Sequence, residues 1–158
     1  MRTGVAIALL LATPACTGGG GGSGRTVVEV IDGDTFDLEG GERIRMLGID
    51  TPERGTNAEC WGDEAFNFLS AKIGGQIVTL EYDLVRVDDF GRTLAYVRVG
   101  DELVNATMLS EGQACLFIFP PNGQEYEAYF AALENEARTA GRGLWATCGG
   151  CDTPGFAP

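Results

Sequence analysis

The chain has 158 residues, 44% of them hydrophobic and 22% charged, which suits one buried core and argues against several domains. It has no His, which excludes Ser-His-Asp triads, HExxH zinc sites and every scheme that needs an imidazole; carboxylates, guanidiniums, hydroxyls, thiols or a bound ion must carry any chemistry. With 11 Lys plus Arg against 23 Asp plus Glu, the formal net charge of -12 argues against a protein that holds nucleic acid by bulk attraction alone.

Met1-Arg2-Thr3-Gly4 and the apolar run Val5 to Ala12 make a short positive start and a hydrophobic stretch well below the ~20 residues a bilayer span needs. Residues 1–15 therefore read as an export signal. Thr13-Pro14-Ala15-Cys16 resembles a bacterial lipoprotein cleavage box, with Cys16 as the lipidated first residue of the mature protein; free secretion is the alternative. Residues 16–24, almost all Gly, form a tether of about 15 Å mean span. No other apolar run is long enough for a transmembrane segment.

From Arg25 the pattern is one of short alternating strands separated by Gly and Asp turns: Thr26 to Ile31, Thr35 to Leu38 and Arg43 to Ile49, the last two joined by the hairpin turn Glu39-Gly40-Gly41-Glu42. Asp63-Glu64 opens a helix with Phe66, Leu69 and Ile73 on one face, stopped by Gly74-Gly75. Two more strands, Gln76 to Leu84 and Arg92 to Val99, precede helices over Asp101 to Glu111 and Gln124 to Ala140. The order predicts a mainly β domain over residues 25–148, a five-stranded OB-type barrel with three packed helices, and a tail at 149–158; an open α+β sheet is the rival. Cys60, Cys115, Cys148 and Cys151 make an even set that reads as two disulfides in any of three pairings. A four-thiolate zinc site and a redox-active Cys148-Gly149-Gly150-Cys151 are weaker readings of the same residues.

Four segments stand out: Ile31-Asp32-Gly33-Asp34-Thr35, Arg45, Asp50-Thr51-Pro52-Glu53 and Asp88-Asp89-Phe90-Gly91-Arg92. Singly, each is more often a turn former or a solvated charge than a catalyst. If Gly40-Gly41 is a two-residue turn, Phe36 pairs with Arg45 and Asp34 with Leu47, making Asp34 and Arg45 diagonal neighbours. Asp50 leaves the third strand at the end where Asp34 enters the second, so two carboxylates and one guanidinium converge. Arg45 lies in the apolar run Ile44 to Ile49 and must find an anionic partner or substrate. Two rigidly held carboxylates with carbonyl and water oxygens suit a hard cation such as Ca2+. Glu53 could then act as general base on water while Arg45 and Arg92 bind phosphate oxygens, a description of metal-assisted phosphodiester hydrolysis.

The ordered series Val30 to Thr35, Arg45 to Glu53, Asp88 to Tyr96, Val104-Asn105 and Gly141 to Trp145 resembles the thermonuclease, or staphylococcal nuclease-like, family from about Arg25 to Trp145. The resemblance implies an OB-type barrel and a Ca2+-dependent endo/exonuclease acting on DNA and RNA and leaving 3'-phosphate ends; the chain is expected to be a monomer. The same resemblance implies Asp34 and Asp50 as side-chain Ca2+ ligands and Thr51 as a backbone-carbonyl ligand. Glu53 falls on the general base, Arg45 and Arg92 on the phosphate-binding arginines. The segment after Glu53 is shorter than the family's loop, and Asp89, Phe90 and Phe117-Ile118-Phe119 stand where Lys and Tyr are usual. A non-catalytic nucleic-acid or protein binding module of the same fold is the alternative.

Overall fold

The computed structural model describes residues 24–150; the expected export signal, the lipidated Cys16, nearly all of the tether and most of the tail lie outside the described residues. Eight strands and four helices follow in order: β1 (Arg25–Val30), β2 (Thr35–Leu38), β3 (Arg43–Met46), β4 (Ile49–Asp50), α1 (Gly62–Ile73), β5 (Ile77–Glu81), β6 (Thr93–Val99), β7 (Glu102–Leu103), α2 (Val104–Ser110), β8 (Cys115–Leu116), α3 (Glu127–Ala140) and α4 (Leu144–Thr147). Strands β3-β2-β1-β5-β6 are hydrogen-bonded in that order, and β3 pairs with β6 in parallel, Ile44 beside Thr93 and Met46 beside Ala95. That last pairing closes the sheet, so the five expected strands form a barrel and the open α+β sheet is excluded.

The barrel closes because alternate residues turn inward. Val27, Phe36, Leu38, Ile44, Met46, Val78, Ala95 and Val97 are almost wholly buried and meet side chains from the three longer helices. On α1 the buried stripe is Ala65, Leu69 and Ile73, at intervals of four. Phe66, expected on that stripe, is half-buried to one side, where the Arg54 guanidinium covers its ring at 3.5 Å. On α3, Phe130 and Ala137 are buried, and Phe130 stacks against Tyr126.

Element boundaries differ from expectation for local reasons. The third strand, expected to run to Ile49, breaks after Met46 because Gly48 takes φ +75 and sits so close to Phe130 that a Cβ there would meet the ring at 2.7 Å. The chain turns and β4 pairs instead with β8, Asp50 opposite Cys115. The second helix begins at Val104, not Asp101, since Gly100-Asp101 is a hairpin turn and Glu102–Leu103 pairs with Arg98 and Val99. The third starts at Glu127, because Asn122 bonds both backbone groups of Val85 and the Gly123 amide donates to Asp83. Cys60 and Cys148 form a disulfide and Cys115 is disulfide-bonded as well, which excludes a zinc site built from all four thiolates and a local Cys148–Cys151 bridge.

Asn105, fully buried, ties the site-bearing turn to the barrel. Its Oδ1 accepts the Val97 amide and its Nδ2 donates to the Leu47 carbonyl, both at 2.8 Å. Asn105→Ala leaves two buried backbone groups without partners, and urea unfolding is expected to show a loss of roughly 2–4 kcal/mol at unchanged m-value. A loss below about 1 kcal/mol would mean that water replaces both bonds.

Candidate active site

The hairpin between β2 and β3 fixes the site's register. Its turn spans Glu39, Gly40 and Gly41, with the two glycines at φ +96 and +84 and the Leu38 amide bonded to the Glu42 carbonyl. The expected two-residue turn is therefore replaced by a three-residue one, and Arg45 stands opposite Thr35, not Phe36. Asp34 precedes β2 in a tight turn closed by the Ile31 and Asp32 amides on the Thr35 carbonyl, so strand alternation does not govern its side chain.

That side chain, 5% exposed, is bound on every side. Its Oδ2 accepts the Thr51 amide and hydroxyl at 3.0 Å each; its Oδ1 accepts the Thr35 hydroxyl at 3.0 Å and faces Arg45 Nε at 3.2 Å. Gly33 is needed for this docking, since a Cβ there would meet the Thr51 side chain at 2.7 Å. Arg45 Nη1 donates to the Met46 and Ile49 carbonyls at 2.7 and 2.8 Å, and its Nη2 donates to Asp50 Oδ1 at 2.6 Å. One guanidinium thus bridges Asp34 and Asp50 and answers the question its apolar run raised. A planar fork can do this where an ammonium could not.

Negative charge is concentrated beyond what Arg45 neutralises. Burial pushes the Asp50 carboxyl up to about 7; Arg45 opposes the shift, and Asp34, Glu53 and Glu59 add to it. Burial and then Asp34 push Asp32 up to about 6. Glu53 is also raised, by partial burial first and then by Asp34 and Glu59, while Arg45 and Arg92 pull it back. Both arginines are therefore within electrostatic reach of Glu53. Arg92 is held at the entrance to β6 by Asp88, whose Oδ2 accepts its Nε at 2.7 Å and whose Oδ1 accepts its amide at 2.9 Å.

The structure thus brings Asp34, Arg45, Asp50 and Thr51 into direct contact and sets Glu53 and Arg92 around them. Among the described residues no three His, Cys, Asp or Glu side chains group to hold a metal ion by themselves. The donors here are the carboxylates of Asp34 and Asp50, without any imidazole or thiolate, which suits a hard cation whose other ligands are oxygen. Residue patterning missed two supporting groups. Glu59 accepts the Glu53 amide at 3.0 Å from an irregular segment that carries no periodic signal. Asp88, read only as part of a turn, orients Arg92; its Asx-type bond to the Phe90 amide was the available clue.

Residues 43–147 match the family model described as staphylococcal nuclease homologue. The chain is 39% identical over 130 residues to a thermonuclease of Staphylococcus intermedius, covering 78% of this chain and 77% of that one. It is 37% identical over 125 residues to a thermonuclease of Staphylococcus hyicus, covering 75% and 73%. To endonuclease YncB of Bacillus subtilis (strain 168) it is 32% identical over 139 residues, covering 83% and 65%. Closed barrel, acid–guanidinium cluster and these likenesses together make the chain a hydrolytic nuclease, a phosphodiesterase. It belongs to the staphylococcal nuclease homologue family.

Proposed function

We propose that the chain hydrolyses phosphodiester bonds of DNA and RNA with the help of Ca2+, leaving 3'-phosphate ends. The carrying observation is the guanidinium of Arg45 spanning the two carboxylates of Asp34 and Asp50 at the end of the barrel. In this reading Asp34, Asp50 and the Thr51 carbonyl hold the ion. Bound there, Ca2+ supplies neutralisation of the carboxylates and polarisation of a phosphate oxygen. Glu53 takes a proton from the attacking water; its raised carboxyl lies nearer neutrality than an ordinary glutamate and is the better base for it. Arg92 leaves Asp88 in part or whole to donate its fork to the phosphate as negative charge builds, and Arg45 adds a second donor from the barrel side.

The test is digestion of end-labelled single-stranded DNA and RNA by the purified chain with Ca2+ and then with chelator. Activity is expected to vanish with chelator and return with Ca2+, and the product ends should resist labelling by a 5'-hydroxyl-blind, 3'-hydroxyl-dependent polymerase until dephosphorylated. Binding without cleavage under both conditions would favour the non-catalytic module.

The disulfides support an oxidising compartment and hence export by residues 1–15, either as a surface or outer-membrane lipoprotein anchored through Cys16 or as a freely secreted or periplasmic monomer. Among the described residues no helix is long and apolar enough to cross a membrane. Mass analysis of the mature N-terminus separates the two forms, because only the anchored one carries a diacylglyceryl group.

A further inference from the structure

Glu53 opens a segment whose next side chain, Arg54, packs over Phe66 at 3.5 Å and pairs with Asp63 at 2.8 Å, and beyond which packing is sparse. The 3₁₀ turn Gly55–Asn57 that follows contains no buried residue, so apolar burial does not fix this stretch. Polar bonds do. The Glu53 amide donates to Glu59 Oε2 at 3.0 Å, and the Glu53 carbonyl accepts the Glu59 amide at 2.9 Å, which ties both ends of the loop together. The Glu59 carbonyl accepts the Gly62 amide at 3.2 Å as α1 begins, and Gly62 lies so near that a Cβ on it would meet the Glu53 carbonyl oxygen at 2.2 Å.

The residue after Glu59 is covalently anchored. Cys60 is bonded to Cys148, which caps the C-terminal end of α4, a helix far away in sequence at a separation of 88 residues. Trp61 follows with φ +79, a left-handed conformation that a bulky residue holds only where its surroundings impose it; here the disulfide lies on one side, and on the other the indole donates to Gln113 at 2.9 Å. The chain from Glu59 to Gly62 is thus pinned to α4 and to the approach to β8, and Glu53 is held from two sides, by Glu59 and by its neighbour Arg54, which pairs with Asp63 and covers Phe66 on α1.

We propose that the Cys60–Cys148 disulfide, acting through Glu59, is a positioning device for Glu53, so that opening it slows turnover without removing any group that touches the substrate. The inference rests on Glu53 being the general base. Cys60 is exposed, and an external dithiol can open the bond by exchange: the dithiol is oxidised to its own disulfide, two electrons and two protons pass to the protein, and Cys60 and Cys148 become thiols. Freed from α4, Glu59 keeps the Gly62 bond and the Trp61–Gln113 bond beside it but loses its covalent anchor, so it accepts the Glu53 amide from a wider range of positions and the Glu53 carboxyl spends less time within reach of the attacking water.

The experiment measures kcat and KM on single-stranded DNA with Ca2+ for the full chain and for Glu59→Ala, Glu59→Gln and Cys60→Ser/Cys148→Ser, each also combined with Glu53→Gln, all well below their melting temperatures. Glu59→Ala and the cysteine pair are expected to lose about tenfold in kcat at KM within about twofold, the size of one hydrogen bond's net worth. Glu59→Gln keeps an acceptor for the amide and should retain most of kcat. In the Glu53→Gln background none of the three should cost anything further, since there is no base left to position. An unchanged kcat in the cysteine pair, a loss confined to KM, or equal losses in both backgrounds would overturn the inference. A fully active Glu53→Gln would instead overturn the assignment of the base, and this inference with it. Should the cysteine pair fail to fold, the folded chain is treated with a dithiol, and opening of Cys60–Cys148 is followed by alkylation and peptide mass. Then kcat must fall in step with that bond and not with the one at Cys115.

Discussion

Glu53→Gln and Arg92→Ala are each expected to lower kcat on single-stranded DNA at least ~100-fold while leaving the melting temperature within a few degrees of the parent. The two residues share a property that makes this separation of activity from stability possible: neither holds up the fold. Glu53 makes its structural bonds through its backbone, to Glu59, and those survive a change of carboxylate to carboxamide. Arg92 is partly exposed, pairs with Asp88 and lies over the Phe90 ring, both on the surface loop that precedes β6. Removing it frees Asp88, which still caps its turn by accepting the amides of residues 90 and 92. The kinetic signatures should differ. Glu53→Gln removes a proton acceptor, so the rise of kcat with pH that a carboxylate base produces should flatten along with the loss. Arg92→Ala removes a fork whose donors count most when charge develops on the phosphate, so kcat and kcat/KM should fall together, and Arg92→Lys, with the charge but not the paired geometry, should recover little. Losses below about tenfold in both variants would remove these residues from the reaction and leave only the scaffold assignment.

How much of such a site shows in the sequence depends on what kind of constraint places each residue. Arg45 was legible because a cation inside Ile44-Arg45-Met46-Leu47 violates the pattern around it, and only a local anion can justify the violation. Asp34 and Asp50 were legible because strand connectivity alone puts them at one end of the barrel. The register that joins them was not. Glu39-Gly40-Gly41-Glu42 serves a two-residue or a three-residue turn equally well, since both glycines accept positive φ in either. Asp34 still reached Arg45, because it lies in a turn outside the strand's alternation. The start of α2 was hidden for a related reason: Glu102 and Leu103 suit a helix as well as a short strand, and only pairing with β6 decides between them. Glu59 was beyond reach, and the Cys60–Cys148 bond was one of three pairings between which the sequence could not choose. Both depend on an irregular segment folding back over itself, and nothing periodic announces a contact made by one loop closing.

Arg45→Met should be the most destabilising change at the site and the most dependent on pH. In the chelated protein at about pH 8 its loss is expected to cost roughly 3–5 kcal/mol, because Asp34 and Asp50 are then left buried without their shared counter-charge. The sign of the pH effect follows from Asp50. Its carboxyl is pushed up to about 7 in the fold from 3.8, so the fold disfavours the charged form. The penalty is absent below the unfolded value, grows as pH rises between the two, and is complete above about 7. The chelated parent should therefore gain stability as pH falls from about 8 to about 5. Asp37, Glu42, Asp88 and Glu102, all held below their ordinary values, chiefly by hydrogen bonds from Arg43, Thr93, Arg92 and Lys72, work the other way and withdraw their contributions only at lower pH still. In Arg45→Met the opposing pull on Asp50 is gone and its carboxyl rises further, so the variant gains more than the parent on acidification. Urea unfolding across that range should show the gap between the two narrowing toward about pH 5, and Asp50→Asn added to Arg45→Met should recover much of the loss at about pH 8. A gap that stays constant with pH, or widens in acid, would mean that Arg45 stabilises the barrel by packing and carbonyl bonds, not by holding two like charges together.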